Sequence, residues 1–261
     1  MKAKTFLSAF LLAFSFLMTS HLFAQKANRD IYELRIYHIE TAAQEAVLDE
    51  YLENAYLPAM HRNGIKKVGV FKPLASQPDA GQKVYVFIPH KSLNEFLSLE
   101  GKLLKDQTYL KDGDAYINAA HDNPPYKRIE TALLQAFKAW PAFTEPKLTG
   151  PKKDRVYELR SYEGATERLY RQKVKMFNEG ETDIFTKLDF NPVFYAETLA
   201  GATMPNLVYM TTFSDMESRD AHWKAFGADP DWKRMSGMEE YKNTVSRNDT
   251  RFLYPTDYSD F

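Results

Sequence analysis

Asp30-Ile31-Tyr32-Glu33-Leu34-Arg35-Ile36-Tyr37 returns 125 residues later as Arg155-Val156-Tyr157-Glu158-Leu159-Arg160-Ser161-Tyr162. Tyr, Glu, Leu, Arg and Tyr keep their places in both copies. Two copies are too few for a solenoid and suit a duplicated domain. Between them, Lys138 to Lys153 contains Pro141, Pro146, Gly150 and Pro151, the punctuation of a linker. The reading therefore places one domain at 28–137, a linker at 138–153 and a second domain at 154–261.

Around each copy the pattern predicts the same succession of elements. In the first, a strand at about 30–39 leads to a helix at about 41–62, where Ala43, Val47, Leu48, Tyr51, Leu52, Ala55 and Tyr56 approximate an apolar stripe and Pro58 bends or ends it. Strands at 68–72 and 84–88 follow, and Ser92 with Glu95 three residues on caps a helix through about Leu104. Residues 106–124 show no clear period, and 127–135 reads as a closing strand. The second copy predicts a strand at 155–162, a helix near 166–179, strands near 192–199 and 206–213, a helix near 215–226 and a strand near 245–253. Each unit reads β-α-β-β-α-β, the ferredoxin-like order. The expected class is α+β, with tandem ferredoxin-like domains pairing as an α+β barrel.

Alternation along a strand puts Tyr32, Leu34 and Ile36 on one side and Glu33, Arg35 and Tyr37 on the other. The repeat opposes Tyr157, Leu159 and Ser161 to Glu158, Arg160 and Tyr162. The apolar triplet is expected to meet the helices. The Glu-Arg-Tyr side is expected to face the partner sheet across a partly polar interior, so that the two units satisfy each other within one chain, with further homo-oligomerisation open.

Composition narrows the chemistry. The 261 residues are 44% apolar and 26% charged, the profile of a folded protein. Zero cysteines exclude disulfides, thiolate nucleophiles and cysteine-held metals. A formal charge of -1 gives no electrostatic reason to expect nucleic acid. The six histidines form no His-x-x-x-His pair, so no metal site is expected, and no glycine-rich phosphate loop or serine elbow is present. No cofactor is expected; haem held by a single histidine is the reading that spacing cannot address.

Lys2 and Lys4 precede the apolar run Phe6 to Met18, and a more polar Thr19-Ser20-His21 leads into Leu22-Phe23-Ala24-Gln25. That order predicts a signal peptide at 1–24, cut after Ala24. The run is shorter than the ~20 residues that span a bilayer, so no stable membrane insertion is expected after cleavage. The mature chain is expected in the periplasm or secreted.

The repeated Tyr-Glu-Leu-Arg-x-Tyr start, with Tyr209 to Phe213 and His222-Trp223-x-x-Phe226-x-x-Asp229-Pro230-x-Trp232, resembles the NIPSNAP family. The resemblance covers both halves and is nearer in the second. It implies a dimeric α+β barrel, here built between tandem domains, in a superfamily whose members include cofactor-independent monooxygenases, haem proteins, isomerases and proteins without a settled activity. The first copy lacks the His-Trp stretch and has Phe96-Leu97-Ser98-Leu99 instead, so its pocket is expected to be altered or lost.

The candidate catalytic residues are Glu33, Arg35, His61, Glu158 and Arg160; the candidate ligand-binding residues are Arg35, Tyr37, Arg160, Tyr162, His222 and Trp223. The arginine forks suit a carboxylate or enolate, although an ion pair with the glutamate on the same strand face is the simpler reading. The tyrosines can orient a ligand oxygen or simply pack. A glutamate beside an arginine stays ionised, which opposes its use as a base, and His61 can serve as acid or base or cap a helix end. His222 and Trp223 suit helix docking or an aromatic ligand. The leading expectation is binding of a small organic ligand. A cofactor-independent monooxygenase or isomerase acting on a phenolic or enolisable substrate, and a structural or protein-interaction module, are the alternatives.

Overall fold

A computed structural model describes residues 28–261; the proposed signal peptide lies outside the described residues. In the first half the strands are β1 (Ile31–His38), β2 (Gly69–Pro73), β3 (Lys83–His90) and β4 (Arg128–Ala136). Helix α1 (Ala42–Tyr51) runs through a π-helical turn, Leu52–Tyr56, into α2 (Leu57–Arg62). After β3 come α3 (Leu93–Leu103), α4 (Gln107–Asp112) and α5 (Asp114–Ile117). The second half repeats the plan with β5 (Val156–Glu163), α6 (Glu167–Met176), a π-helical turn at Phe177–Glu181, α7 (Thr182–Lys187), β6 (Pro192–Ala200) and β7 (Asn206–Phe213). It ends with α8 (Met216–Ala228), α9 (Pro230–Ser236) and β8 (Arg247–Pro255).

The eight strands close into one barrel in the order β1-β3-β2-β8-β5-β7-β6-β4. Within each half the spatial order is fourth, first, third, second strand. Two antiparallel seams join the halves: β2 to β8, with Phe71 opposite Pro255, and β4 to β6, with Gln135 opposite Glu197. Closure removes the free sheet edges that either half would expose alone.

The barrel reverses the expected sidedness of the repeat. Tyr32 and Leu34 point into the lumen with Phe71, Phe87, Tyr157 and Phe194, and the Tyr32 ring lies 5.2 Å from Phe87 and 5.3 Å from Phe194. Glu33, Arg35 and Tyr37 point outward, beneath the helices of the first half; Glu158, Arg160 and Tyr162 do the same in the second. Where these rings fill the lumen, a charged group would find neither water nor a partner. The helix-covered face supplies arginines, tyrosines and an indole to pair with them. Each fully buried aromatic ring in the lumen contributes roughly 1.5–3 kcal/mol.

One end of the lumen is stopped by Phe261, whose ring sits 5.0 Å from Phe143 and 5.7 Å from Phe71. Residues before it are tied to β2: Val68 N–H donates to Asp260 Oδ2 at 2.7 Å, and Val70 N–H donates to Ser259 Oγ at 3.0 Å. A Cβ on Gly69 would collide with the rings of Phe71 and Phe261, so this strand start needs glycine.

Local signals hold where the chain is capped. Ser92 Oγ accepts from Glu95 N–H, Glu95 Oε2 accepts from Lys91 N–H, and Asp215 accepts from Ser218 N–H at the start of α8. Pro58 does not end the first helix. It falls in the first turn of α2, directly after the π turn, and the helix continues through it to Arg62. Among the described residues, no helix is long and apolar enough to cross a membrane.

Candidate functional site

The first-half cavity lies between the outer face of the sheet and helix α3, with a volume of about 560 Å³. Its floor carries Glu33 and Arg35 from β1 and Thr131 from β4. Arg35 donates to Glu33 Oε1 through Nε at 2.9 Å and Nη2 at 2.7 Å, and to the Tyr37 hydroxyl at 3.2 Å. Tyr37 also accepts from the Tyr116 hydroxyl at 3.4 Å. Tyr116 stacks on Tyr51 with centroids 3.7 Å apart, and the Tyr51 and Tyr109 hydroxyls share a 2.8 Å hydrogen bond. Opposite this tyrosine wall stand Phe96, Leu99 and Leu103, with Leu97 and Leu104 exposed at the mouth.

Two polar groups at this site lack hydrogen-bond partners among the described residues. The buried Tyr56 hydroxyl is one; the π turn places it over Arg35, whose guanidinium carbon is 5.5 Å from the ring centre. Single π turns inside helices commonly mark functional positions. The other is His90, fully buried, with Nε2 3.7 Å from Glu33 Oε2 and its ring edge-on to Phe96. Burial alone would raise the Glu33 carboxyl. The His90 imidazole and the Arg35 guanidinium outweigh it and hold Glu33 below the usual carboxylate range. Burial pushes the phenols of Tyr51, Tyr56 and Tyr116 far up, so they remain neutral donors.

The corresponding space in the second half is filled. Glu158 Oε1 accepts from Arg160 at 3.0 Å and from Arg219 Nη2 at 2.9 Å, while Oε2 accepts from Arg219 Nε at 2.9 Å and Trp223 Nε1 at 2.7 Å. The Arg160 guanidinium lies 4.3 Å over the Trp223 ring. Beside it, Lys173 donates to Glu181 at 2.7 Å in a pocket of Phe177, Trp232 and Tyr162. Burial raises the Glu181 carboxyl even with Lys173 beside it. Of the two outcomes expected for the first copy, an altered or a lost pocket, the structure shows an altered one: its cavity stands open, and the His-Trp stretch closes the second.

The structure brings Glu33, Arg35 and Tyr37 together, and likewise Glu158, Arg160, Tyr162 and Trp223. It places His61 elsewhere, 2.9 Å from Asp260 at the end of α2, where it ties down the segment before Phe261. His222 turns from Glu158 toward Phe190 and Phe213 and bonds the Ser218 carbonyl through Nδ1 at 2.6 Å. Tyr56, His90, Phe96, Glu100 and Arg219 belong to these sites and were absent from the sequence-based candidates. The space enclosed by the strands is packed with apolar side chains, and at one end it opens into a cavity of about 200 Å³ where Leu34, Ile36, Leu159 and Val208 meet charged residues of both halves, Lys83, Glu130, Glu163, Arg247, Asp249 and Arg251. The Glu33-Arg35-Tyr37 and Glu158-Arg160-Tyr162 faces expected to meet there do not line it.

Comparison with known proteins agrees with this architecture. The NIPSNAP family model matches residues 157–260, within the second half. Among curated protein sequences, none matches the chain. A proposed monooxygenase from Lactobacillus acidophilus NCFM superposes with a TM-score of 0.56 at 9% identity, over 87% of this chain and 94% of that one. An anthrone oxidase-like protein gives 0.50 at 11% identity, over 88% and 93%. A NIPSNAP-like domain protein from Burkholderia xenovorans gives 0.38 at 19% identity, over 41% of this chain and 90% of its own. At such identities the likeness to the first two is one of fold.

Proposed function

We propose that this chain is an exported small-molecule-binding protein, made of two ferredoxin-like units at 28–137 and 154–261 joined by 138–153. Its ligand occupies the cavity under α3 in the first unit. The observation that carries this reading is the contrast between the halves: about 560 Å³ stands over Glu33 and Arg35, whereas side chains occupy the same place over Glu158 and Arg160. The volume falls within the usual range for small-molecule sites, and a few polar groups converge among leucines and aromatic rings. The test is thermal unfolding of the purified chain against a library of small organic molecules. A ligand present at 100 times its Kd stabilises by about 2.7 kcal/mol. Leu103→Trp, which fills the cavity, removes that stabilisation; unchanged stabilisation in this variant would place the ligand elsewhere.

The second reading is a cofactor-independent monooxygenase. It is favoured by the fold shared with a proposed monooxygenase and an anthrone oxidase-like protein. In this reading Glu33 takes a proton from an enolisable CH2, Arg35 holds the developing oxygen charge, and dioxygen converts CH2 to C=O with release of one water. The low proton affinity of Glu33 ranks this second. Oxygen uptake with a phenolic, enolisable probe, lost in Arg35→Met, tests it; no uptake above the uncatalysed rate rejects it.

A further inference from the structure

Resting on the cavity assignment, we propose that the ligand of the first half is a planar aromatic compound carrying N–H donors, neutral or cationic, that stacks on Arg35 and donates to Glu33. The second half supplies the template. Asp215 caps α8 123 residues after Ser92 caps α3, and β7 begins 123 residues after β3. In that register Arg219 corresponds to Phe96 and Trp223 to Glu100. Both donors that close on Glu158 are therefore replaced in the first half, one by a phenyl ring and the other by an exposed carboxylate. The strand beneath is unchanged, since Glu33 and Arg35 match Glu158 and Arg160.

What has been vacated is an indole ring and a guanidinium, and with them one positive charge. Glu158 receives four hydrogen bonds, two on each oxygen. Glu33 receives its bonds from Arg35 on Oε1; among the described residues none reaches Oε2, beside which His90 stands at 3.7 Å. The charges lining the first cavity are Glu33, Arg35 and Glu100, a net negative set, where the second half adds Arg219. An incoming group that restores the lost partners must donate to Glu33 and offer a flat face to a guanidinium, as Trp223 does for Arg160. Phe96 and the stacked pair Tyr51 and Tyr116 offer further flat surfaces. An organic anion would meet Glu33 and Glu100 and would have to take Arg35 from its carboxylate.

The test is calorimetric titration of the full chain with benzamidine, indole and benzoate, three probes of similar ring size and different charge. The expected result is one site for benzamidine and for indole, with benzoate at least ten-fold weaker than benzamidine. Glu33→Gln is expected to weaken benzamidine at least ten-fold. Because this variant disturbs a buried ion pair, Glu100→Trp is measured beside it: it installs the second-half residue at an exposed position and is expected to abolish binding of all three probes. Benzoate binding more tightly than benzamidine, and blocked by Glu100→Trp, would overturn the donor assignment and leave the cavity as the binding site. Benzamidine binding that survives Glu100→Trp would also overturn it. No binding by any probe, together with no ligand stabilisation from the library, would overturn both the inference and the proposed function.

Discussion

Replacing Trp223 by phenylalanine isolates one hydrogen bond in the closed half. A ring remains against Phe185, Phe190 and Phe226, and the indole N–H that donates to Glu158 at 2.7 Å is deleted. A hydrogen bond to a charged group contributes about 1.5–3 kcal/mol. Glu158 keeps three donors from Arg160 and Arg219, which puts the expected loss at about 2 kcal/mol, in the lower part of that range. For a chain of this size that corresponds to about 4–8 °C in Tm. Urea unfolding reads the loss directly as a lower midpoint with an unchanged slope. The same substitution in a Glu158→Gln background completes a double-mutant cycle, with an expected coupling of about 1.5–3 kcal/mol. A loss below about 0.5 kcal/mol, or a coupling near zero, would refute the claim that the indole closes this site through Glu158.

Other outcomes follow from the same geometry. Glu33 is held below the ordinary carboxylate value, so its stabilising contribution is complete above the unfolded value of about 4.3 and is lost as pH falls through the lower folded value. Melting temperatures between about pH 2 and 7 should therefore decline less steeply in Glu33→Gln than in the parent; parallel curves would contradict this. Lys173→Met alone strands a buried Glu181 and is expected to cost about 3–5 kcal/mol, whereas Lys173→Met with Glu181→Met is expected to be neutral or stabilising, as chemical denaturation of the two variants will decide. Phe261→Ala opens a void at the end of the lumen and is expected to cost about 3–5 kcal/mol; an unchanged denaturation midpoint would show that the stopper carries no load.

The order of elements was legible because it rests on short-range signals: alternation in Tyr32 to Tyr37, the Ser92 and Asp215 caps, and the glycines and prolines between. The sidedness of the strands was not. Alternation establishes which residues share a face, but Tyr32, Leu34 and Ile36 suit a helix-covered surface as well as a barrel lumen. Closure through β2–β8 and β4–β6 decides between them, and those pairings join residues at least 60 positions apart. Helices α4 and α5 escaped because they are short and depend on the Asp106 cap, which accepts from Tyr109 N–H. In the site, Glu33, Arg35 and Tyr37 stood out through duplication. Phe96 and Glu100 did not, because their partners lie at a spacing of 123 and the opening repeat had set it at 125. The two helix caps carried the needed correction.

Joining both halves in one polypeptide has a consequence for how each can change. In a ring assembled from two identical copies, every substitution appears twice, and a residue that opens one cavity weakens its twin as well. Here Glu100 and Trp223 vary separately. One half can keep a densely cross-bonded brace around Glu158 while the other leaves its carboxylate open to visitors, within one shared wall of strands.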